Sequence, residues 1–145
     1  MIRFVPDTNV LASATIVKGS IPHQIIQAWL RGEAELATSP VLLQELYSVL
    51  SRPRIQKYQW MTPEEVAELF RLLTRLAILA SGERRVQVIA ADPADDFVLS
   101  AAVETQAHYI VSGDHHLLEV KAYQGGRIVT PGEFIEILKH RRQEG

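Results

Sequence analysis

The sequence predicts an α/β protein: a three-layer α/β/α sandwich built on a central, mostly parallel sheet. Three observations carry that expectation. Apolar periodicity switches repeatedly between short strand-like runs and helical spacing along the chain. Helix-length segments separate the strand-like runs, and such connections make right-handed crossovers between parallel strands, with helices covering both faces of the sheet. No low-complexity stretch or linker interrupts the 145 residues, 47% of them hydrophobic, so one domain over residues 1–145 is expected. A domain of that size buries about two thirds of the surface its unfolded chain exposes.

Taken in order, Ile2 to Pro6 reads as a short buried strand that ends on Asp7, Thr8 and Asn9. Pro22 to Arg31 places Ile25, Ile26, Trp29 and Leu30 at helical spacing, and Gly32 is a stop signal. The stretch AELATS at 34–39 returns to a strand. Ser39 then caps a helix through PVLLQELYSVL, with Pro40 in its first turn. A further helix is expected over Ile55 to Trp60. Thr62, Pro63 and Glu65 form a capping-box start for a long amphipathic helix reaching Ala80. RRVQVIA at 84–90 reads as a strand, DPADDFVLSAAVETQA as a cap and helix, HYIVSGD at 108–114 as a strand, and RIVTPGEFIEILKH as a final strand and helix.

A formal net charge of -2 argues against holding nucleic acid by bulk positive charge, so any polyanion site must be local. The lack of cysteine excludes disulfides and thiolate metal sites and fits a reducing compartment. No basic leader with an apolar core is visible, and no apolar run approaches the roughly 20 residues that span a bilayer. A soluble, cytoplasmic protein without membrane attachment is expected.

In a parallel sheet the ligand crevice lies beyond the carboxyl ends of the strands. Asp7 and Asp114 both follow strand-like runs, although either alone reads as a turn acid or helix cap. Glu45 lies between Leu42 and Val49, inside the apolar stripe of its helix. It therefore points toward the core or a cleft, unless its head group reaches water at the stripe's edge. Within DPADDF, Asp92 before Pro93 suits an N-cap and Asp95 suits the helix dipole. Asp96 begins a face shared with Leu99, Ser100 and Val103 and is expected to open inward at the strand-end rim. Asp7, Glu45, Asp96 and Asp114, coming from separate segments, would repel one another if they met without a cation. Mg²⁺ or Mn²⁺ suits such an all-oxygen set, keeping several waters and binding substrate phosphates.

The motifs PDTNVLASA at 6–14, Glu45 within PVLLQELYSVL, DPADDFVLSAA at 92–102 and IVSGDHHLL at 110–118 stand in the order and spacing of PIN domains. The chain resembles that family over nearly its whole length, and in particular the small bacterial and archaeal members that include VapC-type toxins. The resemblance implies a metal-dependent endoribonuclease using Mg²⁺ or Mn²⁺, with Asp7, Glu45, Asp96 and Asp114 as its metal-binding, catalytic acids. Thr8, Asn9 and Ser112 are implied as nearby polar support or substrate contacts. An RNA substrate, the toxin role in a toxin-antitoxin pair, an antitoxin partner and a homodimer or higher homo-oligomer are implied as well. Ser112 replaces the threonine common at its position while keeping the hydroxyl. The DHH continuation also departs from the family pattern and leaves His115 and His116 without an assigned role.

The five histidines show no zinc-ligand spacing, and there is no glycine-rich phosphate loop. SRPRIQKYQW at 51–60 sets Arg52, Arg54 and Lys57 beside Tyr58 and Trp60. That mix suits phosphate gripping and base stacking, and equally a solvated helix whose aromatics pack on the core or a partner. The helix from 63 carries Val66, Leu69, Phe70, Leu73, Leu76 and Ala77 on one broad face, either packed onto the sheet or shared with a second copy. Two competing classes stay open: a non-catalytic PIN-like RNA-binding or assembly protein, and a phosphatase with Asp7 as nucleophile. Asn9 weakens the second, because such enzymes usually carry another aspartate two residues after the first.

Overall fold

The architecture follows from which way each strand's side chains point. In the computed structural model, which describes residues 1–83 and 93–144, the chain runs β1 (Arg3–Pro6), α1 (Thr8–Ile16), α2 (Ile21–Leu30), β2 (Glu35–Thr38), α3 (Pro40–Leu50), α4 (Pro53–Gln56), α5 (Pro63–Leu76) and β3 (Ile78–Leu79). It continues with α6 (Pro93–Thr105), β4 (Tyr109–Val111), α7 (His115–Val120), β5 (Ala122–Tyr123), β6 (Gly126–Val129) and α8 (Pro131–Glu144). The described strands form one sheet in the order β3-β2-β1-β4-β6-β5. All pairs are parallel except β5 with β6.

Alternate residues of a strand face opposite sides of its sheet, and here they feed two cores. Phe4, Leu36, Val111 and Val129 face one side, where they pack with Leu11 of α1, Ile25 of α2, Leu73 of α5 and Phe134 of α8. The neighbours Val5, Ala37, Ile110 and Ile128 face the other side, against Leu99 of α6 and Leu117 of α7. Helix α3 sits at the seam, sending Leu46 to the first core and Leu42 to the second. The expected mostly parallel three-layer sandwich is the observed fold.

The chain winds from β1 outward through β2 and β3, then returns to the other side of β1 as β4. The reversal makes the carboxyl ends of β1 and β4 the switch point where ligands bind in such sheets. β1 pairs with β2 through Arg3 and Phe4 but with β4 as far as Pro6. The missing N–H of Pro6 therefore falls on the side where the β2 ladder has already ended, and Asp7 N–H donates to Val111 O at 2.9 Å.

Several elements depart from expectation. Helix α1 is additional, and its residues are buried on most sides, so it lacks the polar face that announces a helix. The helix expected over Ile55–Trp60 is a single turn, Pro53–Gln56. Trp60 instead ties the segment down, with its indole N–H donating to Ala14 O at 2.9 Å and its backbone N–H to Thr15 O at 3.1 Å. Helix α5 has the expected capping box but ends at Leu76, and Ile78–Leu79 joins β2 as an edge strand. The expected strand at 108–114 pairs over Tyr109–Val111, and Asp114 instead caps α7. The strand expected at 84–90 and the Asp92 cap lie outside the described residues. Among the described residues, no helix is long and apolar enough to cross a membrane.

Candidate acidic site

Where β1 stops, the chain turns directly into α1, and Asp7 makes that turn. Its backbone is extended while its carboxylate caps the helix, Oδ1 accepting from Val10 N–H at 2.9 Å. Aspartate favours this position because a side-chain oxygen satisfies an amide that the first turn leaves unpaired. A second support comes from β4. Ser112, fully buried, donates its hydroxyl to Asp7 Oδ2 and accepts the Asp114 N–H at 2.9 Å. Asp114 in turn accepts from His116 N–H at 2.8 Å. A hydrogen-bonded chain thus runs from the start of α7 to the start of α1 across the switch point.

Asp7 is only 6% exposed, and burial pushes its carboxyl above the usual aspartate range. The Ser112 hydroxyl and the Val10 N–H pull it down, the nearby Asp114 charge pushes it further up, and the Asn9 N–H lowers it. The net direction is upward: without a counter-charge, this site disfavours its own negative charge.

Asp7, Thr8, Asn9, Glu45, Asp95, Val98 and Asp114 line one small cavity of about 50 Å³. Glu45 reaches it from α3, which packs on both α1 and α6. Thr8 is buried, and its hydroxyl has no hydrogen-bond partner among the described residues. Of the acids expected from sequence, Asp7, Glu45 and Asp114 are brought together here. The fourth wall acid is Asp95, buried to 7% exposure, while Asp96 is half-buried and does not line the cavity. Successive helical residues point about 100° apart, so the change of neighbour is a change of face. Ser112 lies behind the wall, supporting Asp7. His115 and His116 are exposed at the start of α7, with ring centroids 4.3 Å apart, and do not line the cavity.

The donor chemistry fits a hard divalent cation, since the ionisable groups lining the cavity are all carboxylates and its other polar groups are uncharged. Among the described residues, no three acidic or imidazole groups stand close enough together to ligate one ion directly.

Fold and cavity together define an α/β protein with an acid-lined cavity at its topological switch point. A sequence profile described as PIN domain matches residues 3–116. The chain belongs to the PIN-domain family, whose members are generally nucleases. It is also similar to an uncharacterized protein of Methanocaldococcus jannaschii, 25% identical over 143 residues that cover 93% of this chain and 90% of that protein.

Proposed function

We propose that this chain is a Mg²⁺- or Mn²⁺-dependent endoribonuclease that cleaves single-stranded or looped RNA to leave a 5′-phosphate and a 3′-hydroxyl. The observation that carries the reading is the convergence of Asp7, Glu45, Asp95 and Asp114 on one cavity at the switch point. A bound divalent ion would lower the pKa of an attacking water and neutralise charge on the scissile phosphate. Asp7 is the central holder, fixed by Val10 and Ser112, and its burial makes its charge most costly without a cation. Glu45 and Asp114, which line the same cavity, would hold the ion directly or orient water around it. The fourth acid comes from the start of α6: cavity lining favours Asp95, while the sequence reading favours Asp96. Thr8 and Asn9 supply the polar contacts for a phosphate oxygen.

The test is cleavage of structured and unstructured RNAs with Mg²⁺ or Mn²⁺, beside a chelator control and Asp7→Asn. Turnover that persists in the chelator, or in Asp7→Asn, would overturn the assignment. The spacing of the acids also favours a second reading, a PIN-fold protein that binds RNA or a basic partner without turnover. RNA binding with no metal-dependent cleavage would select it.

The finer biological role is a cytoplasmic toxin paired with an antitoxin that inserts an Arg or Lys among the acids and displaces the cation. Assembly as a homodimer belongs to the same reading. Tyr47, 66% exposed, packs its ring edge against Phe70 of α5, and Leu76 is 56% exposed. These residues leave apolar surface for a second copy. Light scattering over a dilution series tests it, and a strict monomer at micromolar concentration removes the dimer.

A further inference from the structure

A second cavity, of about 280 Å³, opens along the same rim. Its lining includes Ser39 and Ala80, the residues that follow β2 and β3, so it lies beyond the carboxyl ends of those strands. β2 is the direct neighbour of β1, whose end carries Asp7. The same two helices contribute to both cavities. Helix α3 gives Glu45 to the acidic cavity and the adjacent Gln44 to this one, and α6 gives Asp95 to the former and Phe97 to the latter.

The lining chemistry is different. Val41, Ala80, Phe97 and Ala101 make a mostly apolar wall, and Gln44 is exposed at its edge. Phe97 is half-buried against the second core, which holds its ring in place. Glu104 is set by Ser81, whose hydroxyl donates to it at 2.7 Å. Among the described lining residues there is no lysine, arginine or histidine, and there is one carboxylate. The apolar wall with its aromatic ring suits a flat, uncharged heteroaromatic group that can lie on that ring and hydrogen-bond at the cavity's edge.

We propose that this cavity takes one unstacked nucleobase of the strand whose phosphate lies at the acidic site, with Phe97 as stacking platform and the Gln44 amide reading the base edge. The inference rests on the nuclease reading and deepens it: the occupied cavity sets which base stands next to the cleaved bond. Phosphate contacts position a strand but carry no sequence information, whereas contacts to splayed-out bases do.

The experiment uses the full chain and short single-stranded RNAs that differ only by one abasic residue, moved stepwise along the strand. Binding is read by fluorescence anisotropy on Asp7→Asn, and cleavage on the unsubstituted protein with Mn²⁺. One abasic position should weaken binding about tenfold, within the range that base–aromatic stacking supplies. In a Phe97→Leu background, which keeps an apolar wall but removes the ring, that difference should disappear. Gln44→Ala, at an exposed position, should leave the stacking loss in place and narrow the preference among bases there. Equal binding of every abasic strand, or an undiminished abasic effect in Phe97→Leu, would overturn the base site. Cleavage with a flat abasic profile refutes the cavity's role and leaves the nuclease standing. An abasic-sensitive complex without cleavage does the reverse.

Discussion

Replacing Ser112 with alanine tests how the candidate site holds its central charge. Ser112 is fully buried and joins two acids, donating to Asp7 and accepting the Asp114 N–H at 2.9 Å. Ser112→Ala removes a bond to a buried carboxylate, and hydrogen bonds to charged groups contribute about 1.5–3 kcal/mol. The Asp114 amide is only part-buried and can turn to water, so the loss should stay near about 2 kcal/mol at neutral pH. With a typical urea dependence, the unfolding midpoint falls by about 1 M.

The pH dependence gives the sharper test. Asp7's folded pKa is raised above its usual 3.8, so the folded chain binds this proton more tightly than the unfolded chain. Asp7 therefore favours folding most below the unfolded value, and that contribution is lost as pH rises through the folded one. The Ser112 bond opposes this by favouring the ionised form. Without it the folded pKa climbs further, so the loss caused by Ser112→Ala should be largest at neutral pH and shrink as pH falls toward 3.8. Urea unfolding of both proteins across that range is the assay. A loss that stays constant with pH, or is below about 0.5 kcal/mol throughout, would refute the argument that the hydroxyl stabilises the ionised carboxylate.

Asp95→Asn and Asp96→Asn separate the two acids of α6. If cavity lining decides, the first loses cleavage and the second keeps it, and the opposite pattern in the purified variants assigns the role to Asp96. Added Mn²⁺ should raise the melting temperature, with about 2.7 kcal/mol of stabilisation at a hundredfold excess over Kd. The shift should vanish in Asp7→Asn, and an equal shift there would place the ion elsewhere. Asp7→Asn without metal should be at least as stable as the parent at neutral pH, because asparagine caps a helix as well as aspartate while removing a buried charge. Thermal melts of the metal-free proteins check this, and marked destabilisation would mean that the carboxylate is held by more than the bonds described. Thr62→Ala, which breaks the α5 capping box, should cost about 1 kcal/mol in denaturant while leaving cleavage unchanged.

The α/β class was legible because its signal is local. Short apolar strands such as Arg3–Pro6 and amphipathic helices such as Pro63–Leu76 announce their periods within a few turns of chain, and Asp7 stands at a strand end in the sequence itself. Phase is a weaker signal. It needs a polar face to set it, and α1 and α6 are apolar on most sides. Helix α1 was therefore invisible, and with so weak a phase the sequence reading turned Asp96 inward where the cavity is lined by Asp95. Strand β3 had no independent signature either: two residues become a strand when they dock beside Ala37 and Thr38, with Ala80 N–H donating to Thr38 O at 2.8 Å. The link from Asp114 through Ser112 to Asp7 spans more than a hundred positions. Only the parallel pairing of β1 with β4 brings those groups within hydrogen-bonding reach, since contacts between distant segments exist only once the sheet has closed.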